Sequence, residues 1–320
     1  MINKIISFKH PFQSLELDLT TNCTAKNSLG DPLPCAKNCT YYHSKGFRYV
    51  LGLNDATQIL KRAHQLGIHN LVFSGGGEPL EHPSPISIFA KAKEFGFKTN
   101  LLTNGMFLDS YNLKDLLASI DLLRISIPTA ANYDHILNFK KSLTTINKLE
   151  RKPKVIFSVP IMPETTILQI ERIIKYALRF RLDAVRLKPT HILHGKSFLL
   201  EINNYKKIFK NIKIYSRSKH TAITFAKFKD LFSLTDSAFK NCSFRDYNLT
   251  IGANGYLYSC CETKYLKAHE LGHYRDLLNK DLPKLFLQNP QQLTSHCFKG
   301  CKGWIHNVSG KHRNRTSLEI

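Results

Sequence analysis

The stretch "NDATQILKRAHQLGIHNLVFSGGG" (54–77) decides the fold class, because it holds a helix, its stop signal, a strand and a glycine loop in that order. Asn54 or Asp55 offers a cap, apolar residues recur at helical spacing, and Gly67 offers a stop. "HNLVFSG" (69–75) is a short apolar run that predicts a strand. The same alternation recurs on both sides. "SLELDLT" (14–20) alternates as a strand does, and "SPISIFAKAKEFG" (84–96) reads as a helix ending again in glycine. Further strands are expected at 97–105, 121–128, 153–161 and 183–189, with helices at 113–120, 134–150 and 165–180 between them. By Pro189 the chain offers six strands and five intervening helices.

Such regular alternation predicts an α/β fold with a parallel sheet and right-handed crossovers. Six units can close partly into a barrel or lie open as a doubly wound sheet, and periodicity leaves both possible. In either fold ligands gather at the C-terminal ends of the strands. The residues of chemical interest fall there: Thr20 to Cys39, Gly75 to Pro79, Thr103 to Gly105, Ser126, and Arg186 with Lys188. The region 196–240 is rich in lysine and phenylalanine and yields no clear element. From 241 onward the pattern changes to short strands, a hairpin and cysteines.

The chain has 320 residues, 42% hydrophobic and 22% charged, which fits a globular protein. It has no apolar run long enough to span a bilayer, and its N-terminus does not read as a signal peptide. A cytoplasmic location is expected, with no membrane partner. The net charge is +22, which favours anionic partners. The lysines are spread through every helix instead of gathering in one patch, so a compositional origin stays open.

Eight cysteines in such a chain point to metal or redox chemistry more than to a disulfide frame. They form two groups: Cys23, Cys35 and Cys39 near the start, and Cys242, Cys260, Cys261, Cys297 and Cys301 near the end. Three thiolates are one short of the four that commonly close a zinc or iron–sulfur site, and an incomplete shell leaves an open metal position. His43 could complete a structural zinc site instead. Gly75, Gly76 and Gly77 admit two readings: a plain turn, or backbone that approaches a ligand closely beside Glu78.

Taken together, the three-cysteine loop after the first strand, "GGEP" (76–79), "LLTNG" (101–105) and "RISI" (124–127) resemble the radical S-adenosylmethionine (SAM) enzymes. The resemblance covers roughly residues 12–190 and continues in the tail. It implies a partial (β/α)6 barrel of the triosephosphate-isomerase type. It implies a 4Fe-4S cluster on Cys23, Cys35 and Cys39 whose fourth iron is chelated by SAM. SAM would be reduced to methionine and a 5′-deoxyadenosyl radical that abstracts hydrogen from a substrate. By the same resemblance Gly76, Gly77, Glu78 and Pro79 meet the methionine end of SAM, and Asn104, Ser126 and Arg186 are candidates for its ribose or carboxylate. One departure stands out. The spacing here is C-x11-C-x3-C, where the family usually has C-x3-C-x2-C, and Asn38 precedes Cys39 where an aromatic is usual. Tyr41 or Tyr42 could take the aromatic's place.

In the tail, Asn254-Gly255 between two alternating runs is a hairpin signal. C-x12-G-x4-C from Cys242 to Cys260, with Cys297 and Cys301, is similar to the twitch and SPASM appendages that bind auxiliary clusters. Four thiolates suffice for one cluster, so a twitch-like domain is expected on Cys242, Cys260, Cys297 and Cys301, with Cys261 spare. A four-cysteine zinc site is the competing reading. The histidines show no ligand spacing; His191 and His194, after the sixth strand, could face the substrate but are read as surface, and Trp304 beside Cys301 is read as packing around the cluster rather than substrate stacking.

The expected organisation is a radical SAM core at 1–195, a connecting region at 196–240 and an auxiliary-cluster domain at 241–320. The expected function is a radical SAM oxidoreductase acting on a peptide or small metabolite, with two 4Fe-4S clusters and SAM. Its electron donor would be a flavodoxin or ferredoxin, and nucleic acid is the least favoured substrate. Only about a dozen residues precede the first strand, so no leader-binding domain is expected before the barrel. The alternative is a zinc-stabilised, degenerate-barrel binding protein, with nucleic acid as a candidate ligand.

Overall fold

A computed structural model describes residues 12–24, 46–127, 136–161, 165–189, 210–212, 220–225, 247–258 and 260–279. Six strands and five helices alternate along the first part of the chain. They are β1 (Ser14–Asp18), α1 (Leu53–Gln65), β2 (Asn70–Ser74), α2 (Pro85–Glu94), β3 (Lys98–Thr103) and α3 (Leu113–Leu117). Then come β4 (Leu122–Ser126), α4 (Phe139–Asn147), β5 (Lys154–Ile161), α5 (Ile167–Arg179) and β6 (Ala184–Pro189). Each lies within a couple of residues of its expected place, apart from α4, whose helix is shorter than the sequence pattern.

Local signals account for most of the boundaries. Gly67 and Gly96 follow α1 and α2 with φ of +75° and +79°, the left-handed conformation in which glycine ends a helix without a Cβ clash. Thr166 and Gln169 form a reciprocal capping box at the start of α5. At α1 the expected cap is displaced: Gly52 caps a helix that begins at Leu53. The carboxylate of Asp55 instead accepts a hydrogen bond from the Tyr274 hydroxyl at 2.5 Å.

The strand order settles the question that periodicity left open. β1 to β6 lie side by side in chain order, all parallel, with no reversal of direction of travel across the sheet. That is barrel-type winding; a doubly wound sheet would reverse at a switch point. β7 (Ala222–Phe225) continues the sheet in parallel beyond β6. At the other edge β8 (Asn248–Ile251) pairs in parallel with β1. The hairpin from β8 to β9 (Tyr256–Tyr258), followed by β10 (Glu270–His273), then turns that edge antiparallel. A short helix α6 (Tyr274–Asn279) follows. Among the described residues no ladder joins β7 to β10, so the sheet is an open, curved wall of ten strands. The Asn254-Gly255 signal is a hairpin, closed by a loop from Gly252 to Gly255 with Gly255 at φ +79°.

Register divides the sheet into two chemically distinct faces. Leu15, Leu17, Leu71, Phe73, Leu101, Leu123, Ile125, Phe157, Val159, Val185 and Leu187 join the apolar core with Ile59, Leu60, Ile88, Phe89, Leu116, Leu143, Ile173 and Ile174 of the helices. The Phe73 and Phe89 ring centroids are 4.6 Å apart across the strand–helix junction. The opposite face carries Glu16, Asp18, Ser74, Asn100, Arg124, Ser126, Ser158 and Arg186 in the alternate positions. One face is therefore a core and the other carries the polar and charged groups. Among the described residues no helix is long and apolar enough to cross a membrane.

Phe73→Ala should cost about 3–5 kcal/mol, since it removes a fully buried ring at the strand–helix junction. Urea unfolding measures this; a loss below ~1 kcal/mol would contradict the packing described.

Candidate functional site

The site is built where β1, β2 and β3 end. After β1 the chain passes through Thr21, Asn22 and Cys23, and it returns at Phe47 to Leu51. The two stems are zipped together. Thr21 donates its backbone N–H to Tyr49 O at 3.0 Å, and Leu51 does so to Leu19 O at 2.9 Å. The Thr21 hydroxyl donates to Phe47 O at 2.9 Å and accepts from Tyr49 N–H at 2.9 Å. The enlarged C-x11-C-x3-C loop thus leaves and re-enters through a closed neck. Loop-closure entropy grows only slowly with length, so extra residues beyond such a neck are tolerated.

The glycine run locks against that stem. Glu78 N–H donates to Asn22 O at 2.7 Å. A Cβ on Gly77 would lie 2.0 Å from Asn22 O, and one on Gly76 would lie 2.3 Å from the Tyr265 hydroxyl. None of Gly75, Gly76 and Gly77 has a positive φ, so their absence of side chains serves proximity and not backbone conformation. The sequence allowed a turn or a close approach to ligand; the described structure shows a close approach of protein to protein. Thr24 adds a second clasp, donating both its N–H and its hydroxyl to Glu81 Oε1 at 2.6 and 3.0 Å. Cys23 is thereby held between two pinned neighbours, with its thiol exposed.

Glu78 ties in the third strand. Its carboxylate accepts from Thr103 Oγ1 at 2.6 Å, Asn104 N–H at 2.7 Å and Leu80 N–H at 3.1 Å. It caps the 3₁₀ turn Pro79–Glu81, in which Pro79 is the first residue and buried. Burial pushes the Glu78 carboxyl up to about 7, against the opposing pull of the Asn104, Thr103 and Leu80 donors. The Asn104 side-chain amide, held by this arrangement, stands 4.0 Å from the Cys23 sulfur. Cys23, Gly76 to Pro79 and Asn104 are therefore brought together at one mouth. Ser126 and Arg186 stand further round the sheet, on the inward face and joined in register through Ser158.

The sequence reading missed a buried ionic cage directly beneath the glycine run. Lys264, fully buried, donates to Asp18 Oδ1 at 2.7 Å, Glu16 Oε1 at 3.1 Å and Gly75 O at 2.9 Å. Tyr265, at φ +68°, donates its hydroxyl to Asp18 Oδ2 at 2.9 Å and accepts from Ala253 N–H at 3.0 Å. Ser74 donates to Glu16 at 2.8 Å. Burial pushes the Asp18 carboxyl up, while Lys264 draws it down. For Lys264, burial works against the charged form, but Asp18 and Glu16 prevail and raise its pKa. The acidic residues in alternate positions of "SLELD" were the visible half of this cage; nothing near Lys264 in sequence marks the other half.

In the tail, Cys260 is half-buried and Cys261 buried at the start of a 3₁₀ turn. The Cys261 thiol and burial push the Cys260 thiol well up. Cys35, Cys39, Cys242, Cys297 and Cys301, and with them His43, His191, His194 and Trp304, lie outside the described residues.

Two substitutions probe this architecture. Lys264→Met leaves Glu16 and Asp18 buried without their counter-ion and should cost about 3–5 kcal/mol at neutral pH. The loss should shrink on acidification, because both carboxylates then fold protonated; urea titrations at several pH values measure it. Glu78→Gln tests the raised carboxyl. Between its ordinary value of 4.5 and about 7, folded Glu78 keeps a proton that the unfolded chain has released. Stability therefore falls as pH rises through that window, by on the order of 3 kcal/mol. The difference in stability between parent and Glu78→Gln should follow that slope and be flat above it.

No family model matches the chain. It is 34% identical over 117 residues to the PqqA peptide cyclase of Gluconobacter oxydans (strain 621H), a match spanning 36% of this chain and 30% of that protein. The chain thus matches less than a third of that curated relative's length. Its structure is similar to that of Streptococcus suis SuiB bound to S-adenosylmethionine, with a TM-score of 0.63 and 14% identity. That likeness covers 88% of this chain and 67% of the other. SuiB bound to its precursor peptide SuiA matches with a TM-score of 0.61 at 14% identity, over 91% and 68% of the two chains. With the strand order and the mouth described above, these likenesses agree with the motifs: over 117 residues the chain resembles a peptide cyclase, and its fold is that of SuiB, with a parallel sheet that is not closed.

Proposed function

We propose that the chain is a radical SAM enzyme that modifies a peptide, with a small metabolite as the second substrate class. The observation that carries this reading is the interlock of Cys23, the Gly76–Gly77 backbone and Asn104 at the ends of three adjacent strands. The likeness to the SAM-bound and peptide-bound forms of SuiB, and to a peptide cyclase, supports SAM as cofactor and peptide as substrate.

The residues fit the implied group. Cys23 offers an exposed thiol at the mouth, in a loop whose stems are fixed, and the glycine run offers backbone without side chains next to it. Cys23, Cys35 and Cys39 would hold a 4Fe-4S cluster that, with SAM, supplies a 5′-deoxyadenosyl radical for hydrogen abstraction. Gly76 and Gly77 present backbone groups toward the methionine end of SAM, and Pro79 fixes the turn. Glu78 acts through its neighbours, holding the Thr103–Asn104 backbone so that the Asn104 amide faces the mouth. Ser126 and Arg186 are placed for the ribose or carboxylate of SAM. The polar inward face orients the substrate below the mouth, while the helix-covered face keeps the wall rigid.

Cys242, Cys260, Cys297 and Cys301 form an auxiliary-cluster site in a twitch-like unit spanning 241–320, beyond a core at 1–195 and a connection at 196–240. The half-buried Cys260 beside a buried Cys261 supports Cys260 as the ligand and Cys261 as spare. A flavodoxin or ferredoxin in the cytoplasm supplies the electron.

Anaerobic reconstitution should yield roughly eight iron and eight sulfide per chain, for two 4Fe-4S sites. Cys23→Ala should lower both by about half and abolish 5′-deoxyadenosine formation from SAM under dithionite. Cys260→Ala should lose the other half and keep SAM cleavage, whereas Cys261→Ala should lose neither. Stoichiometric zinc without iron would overturn the reading in favour of a zinc-stabilised binding protein.

A further inference from the structure

The charges on the inward face are unevenly paired. On the β1 side, Glu16 and Asp18 are matched by Lys264 and hydrogen-bonded by Ser74 and Tyr265. On the opposite side, β4 and β6 project Arg124 and Arg186 from the same face. Arg124 is level with Ile156 in the β4–β5 register, and Arg186 is level with Ser158 in the β5–β6 register, so the two lie on adjoining rungs with β5 between them. Among the described residues no salt bridge reaches either guanidinium; Glu16 attracts Arg124 from across the face, no carboxylate does so for Arg186, and the buried Nε of Arg124 has no hydrogen-bond partner. In the neighbouring row, Asn100 is wholly buried on the same face, with neither its amide nitrogen nor its oxygen partnered.

Two half-buried cations side by side with only one carboxylate acting on the pair are costly. Burial draws Arg186 down to about 9, with Arg124 adding its repulsion; burial draws Arg124 down to about 10, against the opposing pull of Glu16. Both still carry charge at neutral pH. Guanidinium groups present planar, paired donors that match a carboxylate in a bidentate manner.

We propose that Arg124 and Arg186 form a substrate subsite that binds a carboxylate of the peptide, from an acidic side chain or a chain terminus. The subsite rests on the reading that this face of the sheet takes the substrate. It reassigns Arg186 from SAM to the substrate, leaving Ser126 and Asn104 to SAM, and adds Arg124, which no motif singled out. The bound anion offsets the excess positive charge on β4 and β6, as Lys264 offsets the negative charge on β1. The inward face is thus polarised across its width, and a substrate would bind with its acidic group turned away from β1.

The test uses the anaerobically reconstituted full chain and a matched pair of probes: N-acetylglutamate N-methylamide and its neutral glutamine counterpart. The acidic probe should raise Tm by roughly 2–4 °C at tenfold excess over its Kd, and the neutral probe should not. Arg124→Gln and Arg186→Gln should lose the rise, and Arg186→Gln should not melt below the parent, since it removes a charge that no carboxylate meets. Arg124→Lys, which keeps the charge and the stem, should retain part of it. Equal protection by the neutral probe, or a full rise in both Gln variants, would overturn the subsite. So would loss of the rise at saturating SAM, because the anion recognised would then be the carboxylate of SAM itself. If the acidic probe protects while SAM gives no shift of its own, the subsite stands and the radical SAM reading fails.

Discussion

The ammonium of Lys264 is the point on which the mouth of this protein depends. It sits fully buried between the carboxylates of Asp18 and Glu16 and the carbonyl of Gly75. These partners come from β1 and from the loop after β2, while Lys264 itself follows the hairpin at the far edge of the sheet. One cation therefore holds three distant parts of the chain together. Two carboxylates on the inward face of one strand would be prohibitive in a low-dielectric interior without a charge to meet them. With Lys264 in place they become a fixed foundation, and Tyr265 adds a hydroxyl to Asp18 and a ring against Gly76.

On that foundation the loops at the mouth are held by close backbone approach. Gly77 touches the Thr21–Asn22 backbone at a distance that no side chain permits. The consequence runs along the chain: Asn22 is fixed, Cys23 follows it, and Thr24 is tied down on the other side by Glu81. Glu78 then carries the constraint from β2 to β3, accepting from Thr103 and Asn104 with a buried carboxylate. The residues that face the mouth are few, but each is positioned by a neighbour that does not. Glu78 belongs to the second kind, since its carboxylate is directed into the protein.

The two faces of the sheet divide the labour. The face under the helices is filled by large apolar side chains that interdigitate, as in Phe73 against Phe89 and Phe157 against Tyr176. That packing supplies the rigidity. The inward face gives up this stabilisation for polar and charged groups, acidic and paired with Lys264 on β1, basic on β4 and β6.

Much of this architecture is legible in the order of the amino acids. Strands and helices are dictated by local periodicity and by turn chemistry, so the alternation from Ser14 to Pro189 and the stops at Gly67 and Gly96 can be read directly. The gathering of Cys23, Gly76 to Pro79 and Asn104 is legible too, because parallel strands carry their following loops to one end. Other features depend on contacts between residues far apart in sequence. Sequential strand order, the parallel pairing of β8 with β1, and the short strand β7 in a stretch without a clear pattern follow from long-range pairing that no local period encodes. The reason for the glycines is likewise hidden, since the atoms that exclude a side chain belong to Asn22 and to Tyr265, one of them nearly two hundred positions away. Sequence by itself determined which segments form each element and which loops meet; only the tertiary structure decided which charges are paired, because a buried charge finds its partner through space and not along the chain.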